Sequence, residues 1–410
     1  MKIQLDKKKI DDFRDEINDD VDLILGNEKI GIKWNNICAC MDRISSTVLY
    51  LNRKELHASR EYDGCAFDFI EFIFHSSVML DCVKELAQLF PIDDIGPECI
   101  FFQHKEKFSD KTNDKNEDDI YFEYIRSISS VHPYKTNRKQ HALFRKYDGE
   151  VSPFVLWNDW IELNSGGDIS LYVYCDSGKG EHRNIGLYIE ELFAYVENRY
   201  NRIELLTQSL RRTKDDIITN YKNTPIKTPR DCIDYKEYLT NLLIEADRRC
   251  SFLSGYIECA GLMLDLENIP TAMMKKYEKH CNALRLAISD VHKKLQDMDY
   301  ECLNSDRTLI QELYLPRILK KDEWQMSDYC YEKTGYLYHP CHNVEEMFYR
   351  MQAKELYDHA LTKYVTITED DFDNLGRLQL LALINTGLYF YSLDNDTALN
   401  KLIPDSKEYR

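Results

Sequence analysis

Apolar residues recur three and four positions apart along most of this chain, which is the spacing that gathers them on one face of an α-helix. In the N-terminal half, this pattern predicts helices over 24–51, 62–90, 120–131 and 185–210. In the C-terminal half, it predicts further helices over 232–266, 270–295, 308–319, 344–364 and 375–391. The pattern therefore predicts a mainly α-helical fold.

The segment from Ser152 to Cys175 departs from the helical pattern. Its two runs, SPFVLWNDWIEL and DISLYVYC, are rich in aromatic and β-branched residues and flank the turn sequence NSGG. This arrangement predicts a β-hairpin. Because two strands alone are only marginally stable, we expect the hairpin to lie against the N-terminal helices. The polar residues 176–184 then predict a turn that leads into the helix over 185–210.

A domain boundary is predicted at NTPIKTPR, where two prolines end the preceding helix and stiffen the connection. The chain is thus divided into a helical domain over 1–222 that carries the hairpin, a linker over 223–230, and a second helical domain over 231–410. The fold class is a mainly-α helical bundle with a small β-hairpin insertion, followed by a second helical region. No role is predicted for residues 231–410.

The net charge of the chain limits the classes of molecule that the protein is expected to bind. The chain has 410 residues, a net charge of −18 and 43% apolar content, which predicts a globular and acidic protein. An acidic surface repels polyanions, so any contact with nucleic acid must use a local basic patch.

The cysteines and the terminal sequence indicate a compartment. Thirteen cysteines without a regular framework are typical of reduced thiols in a cytoplasmic protein. The charged N-terminus lacks the apolar core of a secretory signal, and the most apolar run, Leu380 to Leu393, is too short to cross a bilayer as a helix. We therefore expect a cytoplasmic protein with no membrane partner.

Positive charge is concentrated between Arg126 and Tyr147. These 22 residues, RSISSVHPYKTNRKQHALFRKY, hold six basic residues and no acid, although acids make up 71 of the 410 positions. The stretch opens with Arg126 and His132, which pair a phosphate-binding group with a side chain that titrates near neutral pH. The combination indicates chemistry on a phosphodiester.

Arg126 and His132 match what RNA cleavage by a 2′-hydroxyl requires. That reaction needs a base for the attacking hydroxyl, an acid for the leaving oxygen and positive charge on the transition state. Pro133 predicts that the preceding helix ends near His132, and a helix C-terminus favours a protonated imidazole. Ser129 lies three positions from each residue and is placed to bridge them.

The sequence RSISSVH resembles the R-x(4–6)-H motif of the HEPN superfamily. The resemblance implies a helical, commonly dimeric and often metal-independent ribonuclease of a toxin–antitoxin, abortive-infection or CRISPR-associated system. It implies that Arg126 and His132 are catalytic, that two copies form one composite site in a homodimer, and that products carry a 2′,3′-cyclic phosphate. It also implies that no cofactor is needed and that an antitoxin or defence-system partner exists. Ser127 stands where the family usually has Asn, Asp or His.

The motif occurs twice, because Arg285 and His292 also match it. The second match lacks a comparable basic tail and is interpreted as a surface helix. The first match is followed by basic residues that are expected to track an RNA backbone, namely Lys135, Arg138, Lys139, Arg145 and Lys146.

Two structural alternatives remain open for the motif. His132 could bond a carbonyl at a helix end while Arg126 pairs with Asp118 or Glu123. The basic tail could be a solvated face that docks onto an acidic part of the same protein. The alternative function is that of a non-catalytic helical protein that binds RNA, a nucleotide or a protein, and an assembly scaffold is a third possibility.

No metal site is predicted. One group of zinc-type ligands occurs near the C-terminal helices, at Cys330, His339, Cys341 and His342. Its spacing matches no standard zinc finger, so these residues are interpreted as reduced cysteines and turn histidines.

Overall fold

The chain forms two units, Met1–Asp215 and Asp216–Arg410, each with its own buried apolar residues. The structure is a computed structural model. It describes residues 1–56, 62–92, 100–101, 117–131, 141, 144, 146–147, 149–157, 167–175, 182–299, 309–314, 337, 346–395 and 397–410. The fold is mainly α-helical with a small antiparallel sheet, which confirms the predicted fold class.

Helices build most of the first unit. They are α1 (Lys8–Asp19), α2 (Val21–Gly26), α3 (Glu28–Gly31), α4 (Trp34–Leu51), α5 (Tyr62–Leu89), α6 (Glu117–Arg126), α7 (Ile189–Tyr200) and the part of α8 (Arg202–Asn223) up to Asp215, after which α8 belongs to the second unit. The predicted helix over 24–51 is divided into three pieces. Its first break lies at Asn27, whose side chain caps the start of α3. Gly31 then ends α3 so close to the Leu25 carbonyl that a Cβ atom would collide with it.

Within the described residues the sheet has three strands, where a two-stranded hairpin was predicted. The strands β1 (Val151–Trp157), β2 (Ile169–Tyr174) and β3 (His182–Leu187) lie in the order β1-β2-β3, and both pairs are antiparallel. The prediction that the polar turn extends to Asn184 and that a helix begins at 185 was therefore wrong, because residues 182–187 pair with β2, while residues 176–181 lie outside the described residues. The sheet does lie against the N-terminal helices, since β1 packs against α5.

Gly167 is required by the close approach of β3 to the start of β2. Its φ is +98°, and an added Cβ would lie 2.6 Å from the Leu187 carbonyl oxygen. We expect Gly167→Ala to lower the free energy of unfolding by about 1–3 kcal/mol, measured by urea denaturation. Gly255→Ala is the control, because a Cβ atom added at Gly255 would meet no neighbouring atom within 4 Å. Equal effects of the two substitutions would contradict this assignment.

The second unit is also helical. Its helices are α9 (Tyr235–Arg249), α10 (Ser254–Leu264), α11 (Thr271–Asp297), α12 (Leu309–Tyr314), α13 (Glu346–Leu356), α14 (Glu369–Asn374), α15 (Arg377–Asn395) and α16 (Thr397–Leu402). The segment 223–230, which was predicted to be a linker, packs on this unit because Ile226 is buried in its core. The Ile226 backbone N–H also donates to the Gln296 side chain at 2.8 Å.

Two helices supply much of the core of the second unit. Helix α11 buries Met273, Leu284 and Ile288 among others, while α15 buries a continuous run from Leu380 to Ile384. Five consecutive buried residues cover every side of a helix, and the sequence of α15 is therefore apolar on all of its faces. Despite this apolar content, none of the helices in the described ranges has the length and hydropathy needed to span a bilayer.

His280 is buried in this core and makes the stability of the second unit dependent on pH. Its Nδ1 lies 3.4 Å from Thr386 Oγ1, its ring stacks on Tyr389, and burial lowers the pKa of His280 to about 3. The unfolded chain binds this proton near pH 6.5, so stability is greatest above that pH and falls as the pH decreases toward 3.

We therefore expect the free energy of unfolding to fall by about 1 kcal/mol between pH 6.5 and 5.5 through this residue alone. Urea denaturation at the two pH values measures it. His280→Phe should remove this contribution of His280 to the pH dependence. The control, His359→Phe, changes an exposed histidine and should leave the contribution unchanged. An unchanged pH dependence in His280→Phe would show that another group is responsible.

Candidate functional site

Arg126 lies at a change of helix type. It is the last residue of α6, and the chain continues as a π-helical turn over Ser127–Val131. This turn packs against both α5 and β1. Single π-helical turns are rare and occur frequently at functional sites. The helix over 120–131 was predicted, but its final turn is wider than an α-helical turn.

Helix α5 holds the Arg126 guanidinium. Arg126 Nη1 donates to Ser77 Oγ and forms an ion pair with Asp81 Oδ2 at 3.4 Å. Ser77 and Asp81 lie four positions apart and therefore on one face of α5. The Arg126 side chain is 24% exposed and that of Asp81 is 58% exposed. The guanidinium is thus fixed by α5 while part of the side chain remains in contact with solvent.

One of the acids predicted to pair with Arg126 has another role. Asp118 is buried, and its carboxylate accepts hydrogen bonds from the backbone N–H groups of Ile100 at 2.7 Å and Phe101 at 3.4 Å. Burial raises the pKa of Asp118. The acid from α5, Asp81, forms the ion pair with Arg126 instead. Residues of a different helix, α5, therefore hold the Arg126 guanidinium.

The two serines of the motif are buried. Ser127 is 3% exposed and Ser129 is 8% exposed. Ser129 Oγ donates to the Ile125 carbonyl at 2.7 Å, so its proton is used inside the helix. The prediction that Ser129 bridges Arg126 and His132 stays a prediction, because His132 lies outside the described residues. Neither serine presents its hydroxyl to solvent in the way that contact with a substrate requires.

The end of the basic stretch is anchored to α6. The backbone N–H groups of Lys146 and Tyr147 each donate to Glu150 Oε1 at 3.0 Å. The other oxygen of this buried carboxylate accepts the Tyr124 hydroxyl at 2.5 Å. Lys146 is exposed, and the anchor ties it to a residue two positions before Arg126. His132, Lys135, Arg138, Lys139 and Arg145 lie outside the described residues.

The second match to the motif forms part of a packed helix. Both residues lie on α11, where Arg285 is exposed and the His292 ring stacks on that of Tyr238. His292 Nδ1 also lies 3.1 Å from the Tyr238 hydroxyl. Burial lowers the pKa of His292, which disfavours the protonated form that a proton donor needs. The second match is therefore helical as predicted, but α11 is not a surface helix, because it buries Leu284 and Ile288 among others.

Sequence reasoning missed the residues that support Arg126. Ser77 and Asp81 lie more than forty positions before it, so no local pattern connects them with the motif. The only available signal was that both are polar interruptions of the apolar stretch FIFHSSVMLDCV, four positions apart. Glu150 carried no signal, because the chain has many acids.

No metal centre is found in the described part of the chain, where His, Cys, Asp and Glu never gather in a group of three or more suited to a metal ion. Cys330, His339, Cys341 and His342 lie outside that part. No protein-family model, curated protein or solved structure matches the chain. Inferences about function must therefore come from the residues themselves.

Proposed function

We propose that this protein is a HEPN-like, metal-independent endoribonuclease of a prokaryotic defence or toxin system. The observation that supports the proposal most is the Arg126 guanidinium, which α5 fixes at the π-helical turn leading into His132. A fixed and partly solvated guanidinium is suited to bind a phosphate. The resemblance adds a homodimer with a composite site, and an antitoxin or another defence-system partner.

In the proposed reaction, the 2′-hydroxyl oxygen attacks the adjacent phosphorus while the bond from phosphorus to the 5′-oxygen breaks. A base removes the proton of the 2′-hydroxyl and an acid gives a proton to the leaving oxygen. His132 carries these proton transfers, and its copy in the second subunit of the dimer supplies the partner group. Arg126 stabilises the charge on the non-bridging oxygens. The products end in a 2′,3′-cyclic phosphate and a 5′-hydroxyl.

The distribution of charge supports RNA binding at the basic stretch and not over the rest of the surface. The net charge of −18 repels a polyanion from most of the surface. Lys146, held to α6 through Glu150, lies at the end of the basic tail with Lys135, Arg138, Lys139 and Arg145. Binding through several phosphates should weaken steeply as salt is added.

Asp81 offers a test of whether Arg126 binds phosphate. Its carboxylate competes with phosphate for the guanidinium, because the two are in an ion pair. We expect Asp81→Asn to lower the Kd for RNA by about two- to fivefold at low ionic strength. Filter binding of an RNA oligonucleotide measures this, with Asp42→Asn, at the exposed partner of Arg14, as the control. Unchanged RNA affinity in Asp81→Asn would count against a phosphate at Arg126.

The reaction class is tested with matched substrates. The purified protein is incubated in EDTA with an RNA oligonucleotide and with DNA of the same sequence. We expect the RNA to be cut and the DNA to remain intact, because the DNA lacks the attacking hydroxyl. Mass spectrometry should show 2′,3′-cyclic phosphate ends. Cleavage of the DNA, or loss of RNA cleavage on chelation, would contradict the proposal.

A second candidate function is RNA, nucleotide or protein binding without catalysis. The burial of Ser127 and Ser129 favours it, because these hydroxyls are unavailable to a substrate. Under this alternative, the wild-type protein binds RNA but leaves it uncut, and His132→Ala binds equally well. The substrate experiment therefore separates the two functions.

A further inference from the structure

The second unit contains a cleft between α9 and α10. Its volume is about 580 Å³, and Leu378 from α15 also lines it. Pockets for small organic molecules commonly have volumes of about 300–1,000 Å³. The cleft belongs entirely to the second unit and shares no residue with the Arg126 region.

Apolar side chains from both helices form the walls. Leu239 and Leu243 lie one turn apart on α9, and Ile257 and Leu264 face the cleft from α10. The leucines that line it are only partly buried. Covering them with an apolar ligand would remove this surface from water, which favours binding.

Gly261 keeps the space between the helices open. It lines the cleft in the middle of α10, where an added Cβ would meet only Leu239 Cδ1 at 3.6 Å. This is an ordinary van der Waals distance, so the backbone does not require glycine here. A larger side chain at this position would occupy the cleft itself.

The rim of the cleft is acidic. Lys236 Nζ and Asp265 Oδ2 form an ion pair at 2.5 Å and neutralise each other. Asp234 accepts a hydrogen bond from the Glu237 backbone N–H at 2.8 Å and also interacts electrostatically with Lys236. Glu258 is exposed and has no hydrogen bond or ion pair with any residue that the structure describes. Glu258 is therefore a carboxylate that has no cationic partner among the described residues and stands beside an apolar cleft.

We propose that this cleft binds a small organic cation with an apolar body, such as an alkyl or aryl amine. The apolar part lies against the leucines of α9 and α10, and the ammonium group lies beside Glu258. The size of the cleft favours a small molecule over a protein, because the α9 residues that line it span only about 15 Å. A stable protein interface buries roughly 800 Å² on each partner. The proposal does not depend on the ribonuclease activity.

Three eight-carbon probes test the proposal on the full-length protein by isothermal titration calorimetry at neutral pH and low salt. They are octylamine, 1-octanol and octanoate, which share a chain and differ in charge. We expect octylamine to bind about tenfold more tightly than octanoate, with octanol between them. Equal affinities for the amine and octanoate, or no binding of octylamine, would overturn the proposal. Binding of a basic amphipathic peptide in the absence of any binding of octylamine would also overturn the proposal.

Two pairs of variants assign the site. Gly261→Leu should lower the affinity for all three probes by about tenfold, whereas Gly261→Ala should retain binding. Glu258→Lys changes an exposed residue outside the core, so it should fold and should remove the preference for the amine over octanoate. Glu267→Lys, at an exposed acid that does not line the cleft, is its control. An unchanged preference in Glu258→Lys would overturn the proposal even if Gly261→Leu failed to fold.

Discussion

Replacing Arg249 with methionine is expected to lower the free energy of unfolding of the second unit by about 2–3 kcal/mol. Arg249 is only 1% exposed. Its Nη1 donates to the Tyr221 carbonyl at 2.9 Å, and its Nη2 donates to the Thr224 carbonyl at 3.1 Å. The side chain therefore gives a second donor to each of two carbonyls at the end of α8, since Tyr221 also accepts from the Thr224 backbone N–H at 3.2 Å and Thr224 from the Gln296 side chain at 3.3 Å.

The same guanidinium makes two further contacts. Nη1 also donates to the Leu295 carbonyl near the end of α11, at 3.3 Å, and Nε donates to Glu245 at 2.9 Å. Methionine fills most of the volume but supplies no donor, so the Leu295 carbonyl loses its buried side-chain donor and Glu245 keeps only its longer contact with Arg248. Such a loss costs far more than an exposed ion pair, whose contribution is about 0–1 kcal/mol.

Arg248 is a matched control for this prediction. It is adjacent to Arg249, its side chain is 50% exposed, and it contacts the same Glu245 at 3.6 Å. Arg248→Met should change the free energy of unfolding by less than about 0.5 kcal/mol. Urea denaturation of the wild type and both variants measures the difference. Similar losses in Arg248→Met and Arg249→Met would show that charge, and not the buried donor set, is responsible.

Arg126→Ala is expected to lower the rate of RNA cleavage by about 10²–10³-fold under the proposed function. Arg126→Lys should retain part of the rate, because lysine keeps the charge but lacks the planar fork of donors. The fold should persist, since Arg126 forms a partly exposed ion pair with Asp81. Single-turnover cleavage of a labelled RNA in EDTA measures the rates.

Arg285→Ala is the control for this prediction, because Arg285 belongs to the second match to the same motif. Arg285 is exposed on α11, and its replacement by alanine should leave the cleavage rate unchanged. A wild-type rate in Arg126→Ala would assign Arg126 a purely structural role, in which it holds α6 to Ser77 and Asp81.

The helices could be predicted because their apolar spacing reflects burial on one face. Helix α5 matches the prediction over 62–90 almost residue for residue. The third strand could not be predicted, because the first residues of β3, His182 to Asn184, are polar. Ile185 also continues at helical spacing through Ile189 to Leu192 in α7, so periodicity alone favoured a helix.

The candidate site could be predicted only where its residues are close in sequence. The motif drew attention to Arg126, but the π-helical turn has no sequence signature of its own. The contacts of Arg126 with Ser77 and Asp81 come from tertiary packing of α6 on α5. The burial of Ser127 and Ser129 could not be predicted either, because it depends on packing and not on the local sequence.

The central claim, that His132 moves protons in metal-independent RNA cleavage, is tested most directly by the cleavage rate of His132→Ala in EDTA. We expect this rate to be at least about 100-fold below that of the wild type. His359→Ala, which changes an exposed histidine on the π-helical turn Tyr357–Leu361, should cleave at the wild-type rate. Cleavage by His132→Ala at the wild-type rate would contradict the claim.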